Sequence, residues 1–315
     1  MSAIDEKLQN RTILEKANQA LADLATGGLL NEEQAKDFLT IAIKASRVLP
    51  LVTNQRMNKP EQQIDKLLWD DQVMYPGAEA TAIAAADESK AAFSRVTLSA
   101  KTLKGVTRMT DEVLEDNIIR NSLKDRLLTE MAVKVSQDME NLLLNGDTAL
   151  TGLLGTFDGV IKQATSNVYV AGGSALTKDV LKNVIKTMPV QYRDEHDMMR
   201  FFTSDNAVLD YRATLTDRAT ALGDAFLTGN GDIQFQNTPL KGVPMFPTEL
   251  GAGSDETVVL YLNPKNIYAG VYKDIRLESD RNIETGVTTF VVRTRWDVKY
   301  AEEPRVVKAT GVLAG

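Results

Sequence analysis

The chain has 315 residues with 36 basic and 43 acidic side chains, a formal charge of −7, no cysteine and a single histidine. Without cysteine there is no disulfide framework, no thiolate nucleophile and no cysteine zinc site. With His196 alone, every site that needs two imidazoles is excluded as well, the HExxH metalloproteases among them.

Residues 3–25 set Leu14, Ala17, Leu21 and Leu24 at helical spacing, and Gly27-Gly28 breaks the run. Asn31 then caps a second helix, with Glu32 and Glu33 in its first turn. Its apolar set is Ala35, Phe38, Leu39, Ala42 and Val48, and Pro50 ends it. Both helices are short and amphipathic, so each needs a surface to dock against. From Pro60 to Ser94 the texture changes to charged patches, a Tyr75-Pro76-Gly77 turn and a run of small residues. That composition predicts an extended excursion or long hairpin with little core of its own. Loops beyond ~12–15 residues are unusual in a compact domain and tend to be functional or disordered. Val96 and Leu98, then Leu103 and Val106, read as strands leading out of it.

The strongest local feature follows. Thr110 is placed to cap a helix opened by Asp111 and Glu112 that runs to the Asn145-Gly146 stop. Its seam passes through Leu114, Ile118, Leu123, Leu127, Met131, Val135, Met139, Leu142 and Leu143. About 35 residues make a rod of roughly 50 Å. The spacing is mostly i+4 without sustained heptads, which favours a helix lying across a sheet over a two-stranded coiled coil. Beyond Gly152, Gly155 and Gly159, Thr177 caps a helix stopped by Pro189, and Met199 to Thr203 is a short strand. Ser204 caps a further helix to about Leu222; Thr228 to Asp232 is a turn, and the stretch from there to Pro247 is polar and turn-rich. The remainder is β, at 257–262, 268–277, 288–298 and 305–309, with Phe290, Val292 and Trp296 on one face.

Motifs for chemistry are sparse. Asp194, Glu195, His196 and Asp197 are the one cluster able to hold a divalent cation or tune a general base, but no second cluster completes a shell, and a solvated loop is the simpler reading. Tyr261 and Lys265 have the spacing of short-chain dehydrogenases, which requires a helix, and Pro264 interrupts it. The glycines at 152, 155 and 159 match neither dinucleotide nor phosphate loops and read as tight turns. No cofactor is expected. Met1 to Asn10 is polar, and no apolar run approaches the ~18–20 residues of a membrane span, so a cytosolic setting with no membrane partner is expected. The basic residues are interleaved with acids, which argues against a grip on nucleic-acid phosphates.

An under-filled excursion thus passes through Val96-Thr97-Leu98 and Val106-Thr107-Arg108 into a helix that opens Met109-Thr110-Asp111-Glu112 and ends Leu142-Leu143-Leu144-Asn145-Gly146-Asp147. Gly152-Leu153-Leu154-Gly155 follows, and the chain closes through Arg276 to Tyr300 and Glu302-Glu303-Pro304-Arg305-Val306-Val307. This order resembles the major capsid proteins of tailed bacteriophages, the Hong Kong 97 fold, over nearly the whole chain. The resemblance implies an α+β fold with an N-terminal arm at 1–58, an extended β-hairpin loop at 59–97, and a spine helix at about 110–145 over a β-sheet. That helix belongs to a peripheral domain of 98–165 joined with 268–302. A mixed α/β axial domain would be 166–267 closed by 303–315, with Leu227 to Pro247 as an axial loop.

It further implies a non-enzymatic shell subunit that forms hexamers and pentamers around double-stranded DNA, in an icosahedral or prolate virion assembled in the cytoplasm of a bacterial host. A separate scaffolding protein, a portal and decoration proteins are its expected partners. Candidate assembly contacts are Glu79, Lys90, Arg120, Lys124, Arg126, Glu130, Asn230 and Asp232. Lys90 is the lysine placed for the covalent cross-linking that some members perform. An encapsulin shell enclosing enzymes is the nearest alternative, and a cytosolic metal-dependent enzyme using Asp194 to Asp197 the remote one.

Overall fold

The computed structural model describes residues 46–68, 74, 92–110, 123–216, 233–251 and 255–314. The first expected helix, most of the second, the tip of the excursion, the opening of the long helix at 111–122, and the 228–232 turn lie outside these residues. Where the second helix is expected to run through Val48 and stop at Pro50, Leu49–Leu51 form a separate 3-10 turn with Pro50 inside it.

Four strands form the first sheet, in the order β1-β10-β11-β4. They are β1 (Thr53–Arg56), β10 (Ile267–Asn282), β11 (Val287–Tyr300) and β4 (Lys101–Thr110). The β10–β11 pair is antiparallel from Ile267 opposite Tyr300 out to Asn282 opposite Val287. Alternation along β11 buries Phe290, Val292, Thr294 and Trp296 on one face. Across that face lies α1 (Leu123–Asn145), whose Ala132, Met131, Val135 and Met139 pack on Ile275, Leu277, Phe290 and Val292. The i+4 seam thus delivers the across-sheet packing it predicts. The excursion is a two-stranded hairpin of β2 (Glu61–Leu68) and β3 (Ala92–Ser99), registered from Glu61 opposite Ser99 to Leu68 opposite Ala92.

The second sheet has the order β5-β12-β9-β6-β8-β7. Its members are β5 (Val168–Ala175), β6 (Arg200–Thr203), β7 (Gln234–Phe235), β8 (Thr238–Gly242), β9 (Glu256–Leu262) and β12 (Val307–Leu313). Two helices pack on one face, α3 (Lys178–Thr187) and α4 (Asp205–Thr216), while the short α2 (Val160–Gln163) leads into β5. The Thr177 hydroxyl accepts the Val180 N–H and the Ser204 hydroxyl accepts the Ala207 N–H, so both expected caps are in place. Because β9 is buried on both faces, its period of two divides it between two cores. Val258, Leu260 and Leu262 join Leu142, Leu143, Phe157, Trp296 and Tyr300, whereas Val259 and Tyr261 join Val184, Phe201, Ala207 and Tyr211. The first of these cores spans both sheets. At its centre Phe157 meets Trp296 edge-on, 5.2 Å between centroids, an arrangement worth about 0.5–1.5 kcal/mol beyond burial.

Two glycines let α1 end where it must. The Gly146 N–H donates to the Leu142 carbonyl at 3.0 Å, and the Gly159 N–H donates to the Gly146 carbonyl at 2.8 Å. A Cβ on Gly146 would fall on the Phe157 carbonyl oxygen and stand 2.7 Å from that of Leu142; one on Gly159 would stand 2.7 Å from that of Leu144. Backbone meets backbone here, and only glycine permits it.

Thr110 ends β4 opposite Val287, and the helix opening it is expected to cap lies outside the described residues. Two further local expectations are corrected. Residues 190–198 form a 3-10 helix, not an open loop. The polar stretch before Pro247 is not all loop: Gln236 and Asn237, both at positive φ, make a two-residue turn between β7 and β8, and β8 pairs with β6.

Replacing Gly146 by Ala should lower the unfolding free energy in urea by on the order of 3 kcal/mol, since no flexible group is available to yield. Gly105→Ala, whose Cβ meets nothing within 4 Å, should leave the midpoint unchanged or slightly higher.

Candidate functional site

At Ser46 the described chain begins, and one carboxylate holds its first residues. Glu140 on α1 is buried and accepts the Arg47 N–H at 3.1 and 3.2 Å and the Val48 N–H at 2.9 Å. Burial pushes its carboxyl above the ordinary glutamate range, against the lowering effect of the two N–H donors and the Arg47 charge. The Arg47 guanidinium reaches the other way, donating to Asp205 Oδ1 at 2.8 Å and to the Gly242 carbonyl at 2.7 Å. Val48, Leu49 and Val52 then enter the shared core, and β1 adds parallel to β10. The segment arriving from the N-terminus is thereby fastened to the helix and to both sheets.

A second buried carboxylate holds the hairpin. Asp297 on β11 accepts the Ser99 N–H at 2.7 Å and the Val298 N–H at 2.8 Å, and burial raises its pKa. Leu98 beside it is wholly buried against Gly270, where a Cβ would come within 2.9 Å of its Cδ1. Outward from this base Phe93, Ser94 and Arg95 of β3 are exposed, Phe93 at 81%. Arg95 and Asp65 pair across the strands at 2.5 Å. Other exposed apolar side chains sit on separate elements, among them Val168 and Val170 on the edge strand β5, Val190 and Met198 at the ends of the 3-10 helix, and Ile283 on the β10–β11 turn.

Among the described residues, no group of three or more His, Cys, Asp or Glu is arranged to hold a metal ion. Asp197 is exposed, while the side chains of Asp194, Glu195 and His196 lie outside the described residues. Tyr261 is buried in β9, its hydroxyl pushed up to about 12 by burial, and Lys265 follows on a separate 3-10 turn, so they share no helix face. No described helix is long and apolar enough to cross a membrane.

Of the candidate assembly residues, Glu130 is exposed on α1; Lys124 and Arg126 also lie on α1, with side chains outside the description. Glu79, Lys90, Arg120, Asn230 and Asp232 lie outside it altogether. Sequence reasoning missed Glu140 as an anchor and Asp297 as the hairpin's hinge. The available signal was their isolation: Glu140 interrupts the apolar end of the helix, and Asp297 sits between Trp296 and Val298.

A projecting hairpin anchored at its base and a segment fastened across two sheets are the features that the comparisons then place in a family. The chain belongs to the Phage capsid family, which matches residues 26–310. YqbE of Bacillus subtilis (strain 168), described as a prophage capsid protein, is 30% identical over 310 residues, 97% of this chain and 99% of that one. The capsid of the native GTA particle superimposes with a TM-score of 0.61 at 12% identity, covering 87% of this chain and 90% of that one. For the satellite phage P4 procapsid the TM-score is 0.61 at 12% identity, with 96% and 98% covered. The SrpI encapsulin of Synechococcus elongatus PCC 7942 gives 0.58 at 11%, with 84% and 87% covered. The fold is the Hong Kong 97 type, and the protein is a structural major capsid protein of a multimeric shell, not an enzyme.

The raised pKa of Glu140 has a definite sign. The folded state holds this proton more tightly than the unfolded chain, so the contribution is complete below about pH 4.3 and is lost as pH rises through the raised value. Glu140→Gln should therefore gain stability relative to the parent between pH 4 and pH 7, read from paired urea melts. Glu140→Ala, which orphans the Arg47 and Val48 N–H groups, should lose about 1–3 kcal/mol at either pH.

Proposed function

We propose that the chain forms hexamers and pentamers that close into a shell around double-stranded DNA, assembled in a bacterial cytoplasm with a separate scaffolding protein, a portal and decoration proteins. On this reading residues 1–58 are the arm, 59–97 the extended loop, 98–165 with 268–302 the peripheral domain, and 166–267 with 303–315 the axial domain. Glu79, Lys90, Arg120, Lys124, Arg126, Glu130, Asn230 and Asp232 would meet neighbouring copies.

The observation that carries the reading is the hairpin. Its base is locked by Asp297 and Leu98, yet Phe93 stands in solvent, an arrangement that gains apolar burial only against another subunit. The net charge of −7 fits a wall that encloses DNA without gripping it. Encapsulins share the fold, as the SrpI superposition illustrates. The prophage relative, aligned end to end at 30% identity, favours the phage reading.

Electron microscopy of the recombinant chain, alone and with a co-expressed scaffold, tests this directly. Closed particles with nuclease-protected DNA in native preparations are expected. Particles filled with a cargo enzyme would transfer the chain to the encapsulins, and persistent monomers under every condition would remove the shell reading. Phe93→Ser should leave the monomer's unfolding free energy within about 0.5 kcal/mol of the parent while reducing particle yield.

A further inference from the structure

Where β1 ends, the first sheet parts from the helix that covers it. β10 carries two register shifts against β11, between Val271 and Lys273 and between Lys273 and Arg276, and β1 stops at Arg56 opposite Val271. Bulges of this kind bend a strand and re-aim its side chains. On α1 the residue at this place is Ser136, whose side chain is too small to fill the space. A cavity of about 230 Å³ is left between α1, β1, β10 and β11. Leu49, Met139, Val271 and Ile275 form apolar walls, and the exposed Arg56 and Asp274 stand at its mouth.

Two polar side chains that line this cavity lack a partner. Ser136 and Trp296 are 0% and 1% exposed, and among the described residues neither the Ser136 hydroxyl nor the Trp296 indole N–H makes a hydrogen bond. Thr294 lines the cavity too, but its hydroxyl is committed, donating to the Lys273 carbonyl at 3.1 Å. A buried donor left unpaired costs stability, so the two groups call for an occupant. Water is a poor match. There is room for several molecules at about 30 Å³ each, whereas each needs roughly two to four polar partners and the inner wall offers these two side-chain groups. An apolar cavity of about 150 Å³ takes up benzene, so this one has space for a fused pair of rings. The indole N–H requires an acceptor, and the serine hydroxyl either donates or accepts, so a ligand hydroxyl can serve both. Arg56 and Asp274 carry opposite charges at the mouth and select neither an anion nor a cation.

We propose that the cavity between α1 and the first sheet binds a neutral, planar, fused-ring aromatic molecule carrying one hydroxyl, held by the Ser136 hydroxyl and the Trp296 indole N–H. Such a molecule touches α1, β10 and the strand β1 at once, one helical turn from the Glu140 anchor, and so adds to the fastening of the segment that arrives from the N-terminus. The inference goes beyond the shell-subunit reading and does not rest on it.

The test uses the full-length chain with 2-naphthol as the probe and naphthalene as the same ring system without the hydroxyl. Binding is measured by isothermal titration calorimetry and by the indole N–H resonance of Trp296, told apart from that of Trp69 by the variant Trp69→Phe. One molecule of 2-naphthol per chain should bind, shift the Trp296 resonance and raise the urea midpoint, because a ligand of the folded state stabilises it by mass action. Ser136→Ala should weaken 2-naphthol about three- to tenfold and leave naphthalene unchanged. Ser136→Leu, which fills the cavity, should abolish binding of both, with its fold checked by circular dichroism. If Ser136→Leu does not fold, the Ser136→Ala comparison decides alone. Equal 2-naphthol affinity in the parent and Ser136→Ala, or binding retained by a folded Ser136→Leu, would place the molecule elsewhere and overturn the proposal. Failure of both compounds to bind the parent would leave the cavity to water and overturn it as well, with the shell reading untouched.

Discussion

Glu140 sits where three parts of the molecule converge, and its carboxylate accepts two backbone N–H groups of the segment arriving from the N-terminus. The N–H groups of Arg47 and Val48 belong to no helix or ladder, and burying them unpaired would cost free energy comparable to a lost hydrogen bond. By accepting both, one side chain on α1 allows Val48, Leu49 and Val52 to enter the core that spans the two sheets. Arg47, thus oriented, reaches Asp205 and the Gly242 carbonyl of the second sheet. The carboxylate is itself desolvated, so the arrangement is a compromise in which two backbone donors and a nearby guanidinium offset burial of a charge.

Asp297 repeats this logic at the hairpin. A buried acid accepts the N–H of Ser99, the turning point between β3 and β4, and so sets the direction in which an otherwise thinly packed element leaves the body. The two carboxylates divide the labour of a shell subunit. One fixes the segment arriving from the N-terminus, the other aims the projecting hairpin, and between them α1 and β11 form the rigid block to which both are attached. Projections that bury little at home are stable in a monomer only if their bases are held firmly, and they gain their full burial from neighbours.

Much of the framework is legible in sequence because it is periodic. The i+4 seam of Met131, Val135 and Met139 announces a helix lying on a sheet, and the alternation through Phe290, Val292 and Trp296 announces the strand beneath it. Thr177 and Ser204 cap as their chemistry suggests. Where sequence reasoning fails, polar texture hides local order: residues 190–198 read as a solvated loop but form a 3-10 helix. The Gln236-Asn237 turn is hidden because its residue pair is a weak signature of positive φ beside the usual Asn-Gly. Sequence spacing carries no information about which loops a fold brings to one face, and of the surface residues singled out from charge alone only Glu130 has a described side chain, exposed on α1.

By itself, then, the sequence determined the element types, their order and the absence of thiol or paired-imidazole chemistry, all of which depend on residue identity and local period. Only the tertiary structure decided that Arg276, Arg293 and Lys104, 17 and more residues apart along the chain, share one row, or that Glu140 reaches back 93 positions to Arg47. The register of a sheet is set by the sum of its buried face. Which charges meet on the opposite face follows from that register, and no local pattern records it.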